Sequence, residues 1–408
     1  MRSADVAVVG GGPAGVAAAV TLARAGRRVV LIDKATFPRD KPCGDGLTTG
    51  ALRLLEGLGL NPARVRSWMP VADVVVRSPS GHEVTFPLPR HRGTYAAVAR
   101  RVDLDLAVLD LARQGGTDVL EGNAVLDAHQ SDDRVTLEVA GSEDVQARYV
   151  VAADGMWSPM RKFVGATIPG YRGEWHAFRQ YFHHVDGPAA RELFVWFEPD
   201  LLPGYAWSFP LPGGVANVGF GIQLGHHIAT GDMKRLWPDL LSRPHVVAAL
   251  GPSAQPETPH RAWPIPARVG DIALTNGRVL FVGDAAAATD PMTGEGIGQA
   301  VLTGTAAAES ILAAGPHGAA QAAAAYEQKV HRELGADHRL ASFLVKALRH
   351  RKGARAAVRL AGTNDWTRRN FARWLFEDYP RAMIATPSRW HRGLFSGPGA
   401  FGPRDQPT

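Results

Sequence analysis

ADVAVVGGGPAGVAAAVTLARAGRRVVLID, residues 4–33, decides the fold. ADVAVVG is a short Val-rich run of the kind that forms a buried parallel strand. Gly10-Gly11-Gly12-Pro13-Ala14-Gly15 follows, then the helix-like VAAAVTLARAGR, then a second apolar run that ends at Asp33. Strand, glycine turn, helix and strand, with an acid about 20 residues beyond the glycines, is the pattern of a dinucleotide-binding βαβ unit. Gly10 permits the tight turn, Gly12 lets backbone approach a pyrophosphate, and Gly15 lets the helix pack on the strand. The helix N-terminus, with Pro13 and Ala14 in its first turn, is expected to hold phosphates through free N–H groups and its dipole. Asp33 is expected to accept hydrogen bonds from a ribose, with Lys34 beside it.

Two later segments extend this reading. RVLFVGDAAAATDPMTGEGIGQA (278–300) is a strand ending near Asp284, then a second glycine turn, Gly294-Glu295-Gly296, opening an Ala-rich helix at Ile297. VVAADGMWSPMRK (150–162) contains Asp154, Gly155, Ser158 and Arg161. A simple NAD dehydrogenase does not need the late element. The three together resemble the flavoprotein hydroxylase and reductase superfamily, which implies FAD as cofactor. In that superfamily the Gly-Asp segment holds ribitol and phosphate, and the helix after the second glycine turn points its N-terminus at the flavin. Ala124 is carried over as a further cofactor contact.

Within that superfamily, KPCGDGL (41–47) and LLPGYAWSFPLP (201–212) resemble the geranylgeranyl reductase family, whose members saturate prenyl-chain double bonds with reduced FAD. The family's YxWxFP pattern falls on Tyr205, Trp207, Phe209 and Pro210. Its Cys-Gly segment falls on Cys43 and Gly44, followed by Asp45. Its arginine ahead of a Leu-Asp pair falls on Arg101, next to Arg100. The resemblance spans about residues 4–312 and does not reach the C-terminal tail. Gly298-Gln299 stands where family members often carry an aromatic. Hydroxylases read GQG where this chain reads Gly294-Glu295-Gly296, so the segment leans towards the reductases.

The chain has 408 residues, 45% apolar and 21% charged, an ordinary globular balance with room for a large core. Its single cysteine, Cys43, excludes an internal disulfide and fits a reducing cytosol. No apolar run reads as long enough to span a bilayer, and the glycine-interrupted N-terminus does not read as a signal peptide. A cytoplasmic location is therefore expected. The net charge is +6, but 15 Lys/Arg stand against 5 Asp/Glu between Lys329 and Arg392. With Trp366, Phe371, Trp374 and Trp390 among these cations, the tail reads either as an interfacial segment touching anionic lipid or as a cap packed on the body. No nucleic-acid module is recognisable.

The expected class is α/β with an α+β second domain. A Rossmann-like FAD-binding domain takes residues 1–70, 95–165 and 270–312. An antiparallel-sheet substrate domain takes 71–94 and 166–269, where WHAFRQYFHHV, ARELFVWFE and GVANVGFGIQL show partial alternation. Residues 313–408 form a helical C-terminal region. His183, His184 and His260 have no carboxylate or cysteine at ligand spacing, so no metal site is expected.

Tyr205, Trp207 and Phe209 at i, i+2 and i+4 share one face of a strand, either an ordinary core stripe or an aromatic wall for an isoprenoid. Arg179 and Tyr181 are further candidates to line the substrate pocket, although Arg179 also suits an ion pair. Tyr205, Trp207 and Cys43 are the candidate catalytic residues, with Cys43 a proton donor or a contact to the flavin. The leading expectation is an FAD-dependent reductase acting on a hydrophobic isoprenoid or polyprenyl-quinone chain. Electrons would come from NAD(P)H or a reduced protein donor. The alternatives are an FAD-dependent monooxygenase of an aromatic or terpenoid metabolite and a non-enzymatic flavin redox carrier. A halogenase is disfavoured because its paired-Trp segment is absent. The oligomeric state is not readable.

Overall fold

The computed structural model describes residues 1–402 apart from 91, 226 and 391–396. Residues 391–396, which include Arg392 of the basic C-terminal span, and 403–408 therefore lie outside the described residues.

The glycine-turn strand Arg2–Val9 lies inside an eight-stranded sheet, parallel to Val29–Asp33 on one side and Val145–Ala152 on the other. Asp118–Glu121 and Val279–Phe281 extend the parallel core, and Val125–Gln130 and Val135–Val139 add an antiparallel wing. Val6, Ala7, Val8, Leu31 and Ile32 are all buried because elements cover both faces of the sheet. The helix Pro13–Arg24 packs against Ile297–Ala314 at very short range. A Cβ added to Gly304 would stand 2.0 Å from the Ala14 carbonyl oxygen, which explains why both helices are built from Ala and Gly. By length and composition Ile297–Ala314 is apolar enough to cross a membrane, which corrects the expectation that no such run exists. Most of it is buried inside the molecule.

A second eight-stranded sheet contains Trp175–His183, Val215–Gln223, Ala206–Leu211 and Leu193–Trp196 in antiparallel succession. The hairpin Asp73–Arg77 and Glu83–Pro87 completes its edge. One junction departs from the antiparallel expectation: Leu193–Trp196 runs parallel to Asp73–Arg77. Parallel neighbours need a long crossover, and here the chain passes through the first sheet between them. Helices Met233–Ser242 and Pro244–Leu250 cover one face around Phe178, Phe220 and Trp237.

Three helices follow: Ala319–Leu348, Arg351–Ala361 and Asp365–Leu375. The first buries Ala322, Tyr326, Val330 and Leu334 in the core of the first sheet. Val358, Ala361, Ala372 and Phe376 then pack with Val74, Val76 and Phe86 of the second. The C-terminal region thus joins the two sheets, as the packed-cap reading expects.

Candidate active site

A cavity of about 1010 Å³ lies between the two sheets and runs from the first glycine turn to the C-terminal helices. At one end Gly10 has φ +109°, and a Cβ there would stand 2.3 Å from the Ala153 carbonyl oxygen. Gly15 does not line the cavity. Its added Cβ would sit 1.9 Å from the Gly10 carbonyl, so this glycine lets the helix start directly beneath the turn rather than touching a ligand. At Gly12 an added Cβ would meet only Arg39, at 3.5 Å, and no side chain caps the helix that begins there. Its first N–H groups are therefore open to a bound anion.

Asp33 lines the cavity, yet both its carboxylate oxygens already accept backbone N–H groups, from Gly11 at 2.6 Å and Ala35 at 2.8 Å. It braces the glycine turn as well as facing the cavity. Lys34 and Ala124 stand in the same wall. Asp154 accepts from the Ser158 hydroxyl at 2.7 Å and the Met160 N–H at 2.8 Å, and burial raises its carboxyl to a pKa of about 6. Arg161 donates to the carbonyls of Ala285 and Ala273, both at 2.7 Å, fastening this segment to the one bearing Asp284. Burial alone would raise the Asp284 carboxyl, but the Lys41 ammonium at 2.6 Å leads the groups that hold it below the ordinary range. Arg101 is the buried arginine of its pair, forked onto Asp105 with two bonds of 2.7 Å. Arg100 turns away to Glu257.

Further along, Tyr205, Trp207 and Phe209 do share a face and line the cavity. Their rings are spaced 6.1 and 6.0 Å apart. Gly219 lies opposite Trp207 on the next strand, where a Cβ would stand 2.4 Å from the indole, so only glycine leaves room for it. The Tyr205 hydroxyl donates to the Thr293 carbonyl, tying the wall to the second glycine turn. The Cys43–Gly44 segment lies on this wall: a Cβ on Gly44 would be 3.4 Å from Phe209. Burial raises the Cys43 thiol, which therefore keeps its proton at neutral pH.

Behind the thiol, Asp45 is wholly buried at φ +68°. It accepts from the Tyr181 hydroxyl at 2.6 Å and the Asn217 amide at 2.8 Å, and burial raises its pKa to about 6. Asn217 also receives the Trp207 indole N–H at 3.2 Å and donates to the Cys43 carbonyl at 2.8 Å. Tyr181 is thus not a pocket-lining residue, contrary to expectation; its hydroxyl is spent on Asp45. Arg179, itself buried, lines the cavity and pairs with the exposed Asp40 at 2.8 Å.

Two features escaped the sequence reading. Leu344, Leu348, Phe371 and Trp374 of the C-terminal helices also line the cavity. Beside the second glycine turn, Glu295 accepts the Gly298 N–H at 2.7 Å, so this helix start is already capped by the chain itself. Burial, then the neighbouring Glu377, raises the Glu295 carboxyl to about 8. Glu377 accepts from Thr48 and Gln299, both at 3.0 Å, and burial raises its carboxyl too. Arg381 holds Asp290 at 2.6 Å and Glu377 at 3.1 Å. Asp290 and Glu377 share one guanidinium, and Glu295 stands beside Glu377. No spacing rule marks such a cluster, because its members come from distant segments.

The cavity fits FAD: an uncapped helix start behind two obligatory glycines for the diphosphate, polar side chains along the middle, and an apolar end for a ring system. The family model described as FAD binding domain matches residues 3–334. The chain is 37% identical over 335 residues to a menaquinone reductase of Mycobacterium tuberculosis, covering 75% of this chain and 76% of that protein. It is 30% identical over 313 residues to digeranylgeranylglycerophospholipid reductase 1 of Methanopyrus kandleri, covering 75% and 79%. Its fold resembles that of a geranylgeranyl bacteriochlorophyll reductase-like protein of Thermoplasma acidophilum, with TM-score 0.79, 22% identity and coverage of 96% and 100%. The p-nitrophenol 4-monooxygenase of Pseudomonas putida shares the fold at TM-score 0.73, 20% identity and coverage of 91% and 97%. The chain is therefore a member of the FAD-binding oxidoreductase family that includes the menaquinone and digeranylgeranylglycerophospholipid reductases.

Proposed function

We propose that this protein reduces carbon–carbon double bonds in the isoprenoid chain of a prenylated quinone or related lipid. The observation that carries this reading is the aromatic wall of Tyr205, Trp207 and Phe209, facing one cavity with the glycine turn and the Cys43 loop. FAD held in this cavity and reduced would supply a hydride for one alkene carbon. The wall holds the chain flat, excludes water and offers ring faces to positive charge developing on the other carbon. Cys43 holds a proton at Sγ beside that wall and is the proposed donor to this second carbon. Asn217 fixes the Cys43 carbonyl and Trp207 together. Asp33, Lys34, Arg101, Ala124, Asp154, Asp284, Gly294, Gly296 and Ile297 are proposed to hold the cofactor along the cavity.

The division into an FAD-binding body, a sheet-built substrate body and a helical C-terminal region is proposed as the working organisation. The electrons are proposed to come from NAD(P)H or a reduced protein donor, and the site of action to be cytoplasmic, at a membrane surface. The test bypasses the donor. Protein reduced anaerobically with dithionite is mixed with menaquinone, and the product is weighed by mass spectrometry. A gain of two hydrogens per turnover that stays in the prenyl chain after the quinone ring has been reoxidised in air, with flavin reoxidation, is expected. No mass gain, together with oxygen-dependent hydroxylation of an added aromatic substrate, would replace this reading with the monooxygenase one.

A further inference from the structure

The C-terminal helices close one side of the cavity and carry a charge pattern that cavity lining does not require. Between residues 338 and 364 the chain has seven Lys/Arg and no Asp/Glu. On the helix Arg351–Ala361, Arg351, Arg355 and Arg359 recur every fourth residue, so they lie along one exposed face with Lys352 beside them. Among the described residues none of these four meets a carboxylate. Ala354, Val358 and Ala361, on the opposite face, are buried against the body. The buried Arg101 and Arg381 are each paired with a carboxylate; this row is not.

Large apolar side chains stand exposed in the same stretch. Phe343 is 65% exposed, Leu360 71% and Trp366 69%. Solvent offers nothing to three such side chains, whereas a headgroup layer accepts apolar anchors among cations. The cavity opens here as well: Ala347 and Ala357 both line it and are exposed.

We propose that this face docks on a bilayer containing anionic phospholipid, with Phe343, Leu360 and Trp366 entering the headgroup layer. The cavity mouth then lies against the membrane. On the reading of the substrate proposed above, a lipid-borne chain passes from acyl region to cavity without crossing water. The cations complement anionic headgroups, and the exposed apolar side chains distinguish a bilayer from an acidic soluble protein.

Flotation of the FAD-loaded full-length protein with vesicles tests this. Phosphatidylcholine vesicles are compared with vesicles carrying about a third phosphatidylglycerol. Each basic residue near an anionic surface strengthens binding roughly fivefold. Arg351→Gln/Arg355→Gln/Arg359→Gln should therefore weaken binding about a hundredfold, and high salt should do the same to the native protein. Leu360→Ser/Trp366→Ser should weaken it at least tenfold with all cations in place. Bound flavin absorbance and melting temperature should not move in either variant. Failure to float with anionic vesicles overturns the proposal, as does flotation unchanged in both variants. So does a row of cations that captures an acidic electron-carrier protein while ignoring vesicles. Flotation needs no turnover, so a failed prenyl-reduction assay and a failed docking assay stay distinguishable.

Discussion

Glu295→Gln offers a test of the buried acid cluster that needs no substrate. The Glu295 carboxyl, raised to about 8 by burial and by Glu377, binds its proton more tightly in the folded chain than in the unfolded one, where its ordinary value is 4.5. A raised acid is a stability contribution lost as pH rises, from the unfolded value up through the folded one. Asp45 and Asp154, at about 6, finish titrating near neutrality; between pH 7 and 9 the raised Glu377 carboxyl and Cys43 thiol add to the slope in both proteins, so the difference between variant and native protein reads Glu295. Across that window a folded value of 8 corresponds to about one net pH unit of differential proton binding. That is roughly 1.4 kcal/mol. For 408 residues unfolding together, the unfolding entropy converts this to a Tm decrease of between about 1 and 2 °C. Gln keeps the oxygen that accepts the Gly298 N–H while removing the proton, so the variant should lose that part of the slope and melt higher than the native protein at pH 9. Calorimetry at matched ionic strength reads both curves. Identical slopes in the two proteins would refute the assignment of a retained proton to this site.

Gly15→Ala forces a methyl group to within 1.9 Å of the Gly10 carbonyl; the turn must open, and the purified variant should be colourless by flavin absorbance. Asp33→Ala removes the acceptor of two backbone N–H groups, so apoprotein stability should fall by about 1–3 kcal/mol in denaturant titration. FAD affinity should fall ten- to a hundredfold by fluorescence release, and a loss of affinity without a loss of stability would contradict the bracing role. Trp207→Phe keeps an aromatic face but removes the N–H that reaches Asn217; flavin content and Tm should stay within a few degrees while alkene-dependent flavin reoxidation under anaerobic conditions drops at least tenfold. Native rates in that variant would make the wall ordinary core.

The glycine turn was legible because its requirements are local: Gly10 and Gly15 answer to atoms within one βαβ unit and the strand beside it. The shared face of Tyr205, Trp207 and Phe209 was legible for the same reason, since strand alternation fixes it. Tyr181 was misread because alternation says which face a side chain takes but not what already occupies that face, here Asp45 from a distant loop. Asp33 was half read, its backbone partners being invisible until the turn closes. The acid cluster and the cavity-lining helices were not legible at all. Their contacts join Thr48, Asp290, Glu295 and Glu377 across most of the chain, and no periodicity encodes that meeting. Residues 313–408 resemble no motif, yet supply one wall of the cavity.

The ion pair between Arg381 and Asp290 has a consequence for the order in which the molecule is made. A ribosome delivers the glycine turns, the Gly-Asp segment and the aromatic strand long before it delivers Arg381. Until then Asp290, Glu295 and Glu377 have no guanidinium among them, and the second glycine turn lacks the partner that holds it against Thr48 and Gln299. A nascent chain can therefore assemble the diphosphate end of the cavity early, but the end beside the second glycine turn waits for Arg381. A chain cut short after the helix Asp365–Leu375 would lack both Glu377 and Arg381, and with them the side-chain ties from this tail to Asp290, Thr48 and Gln299.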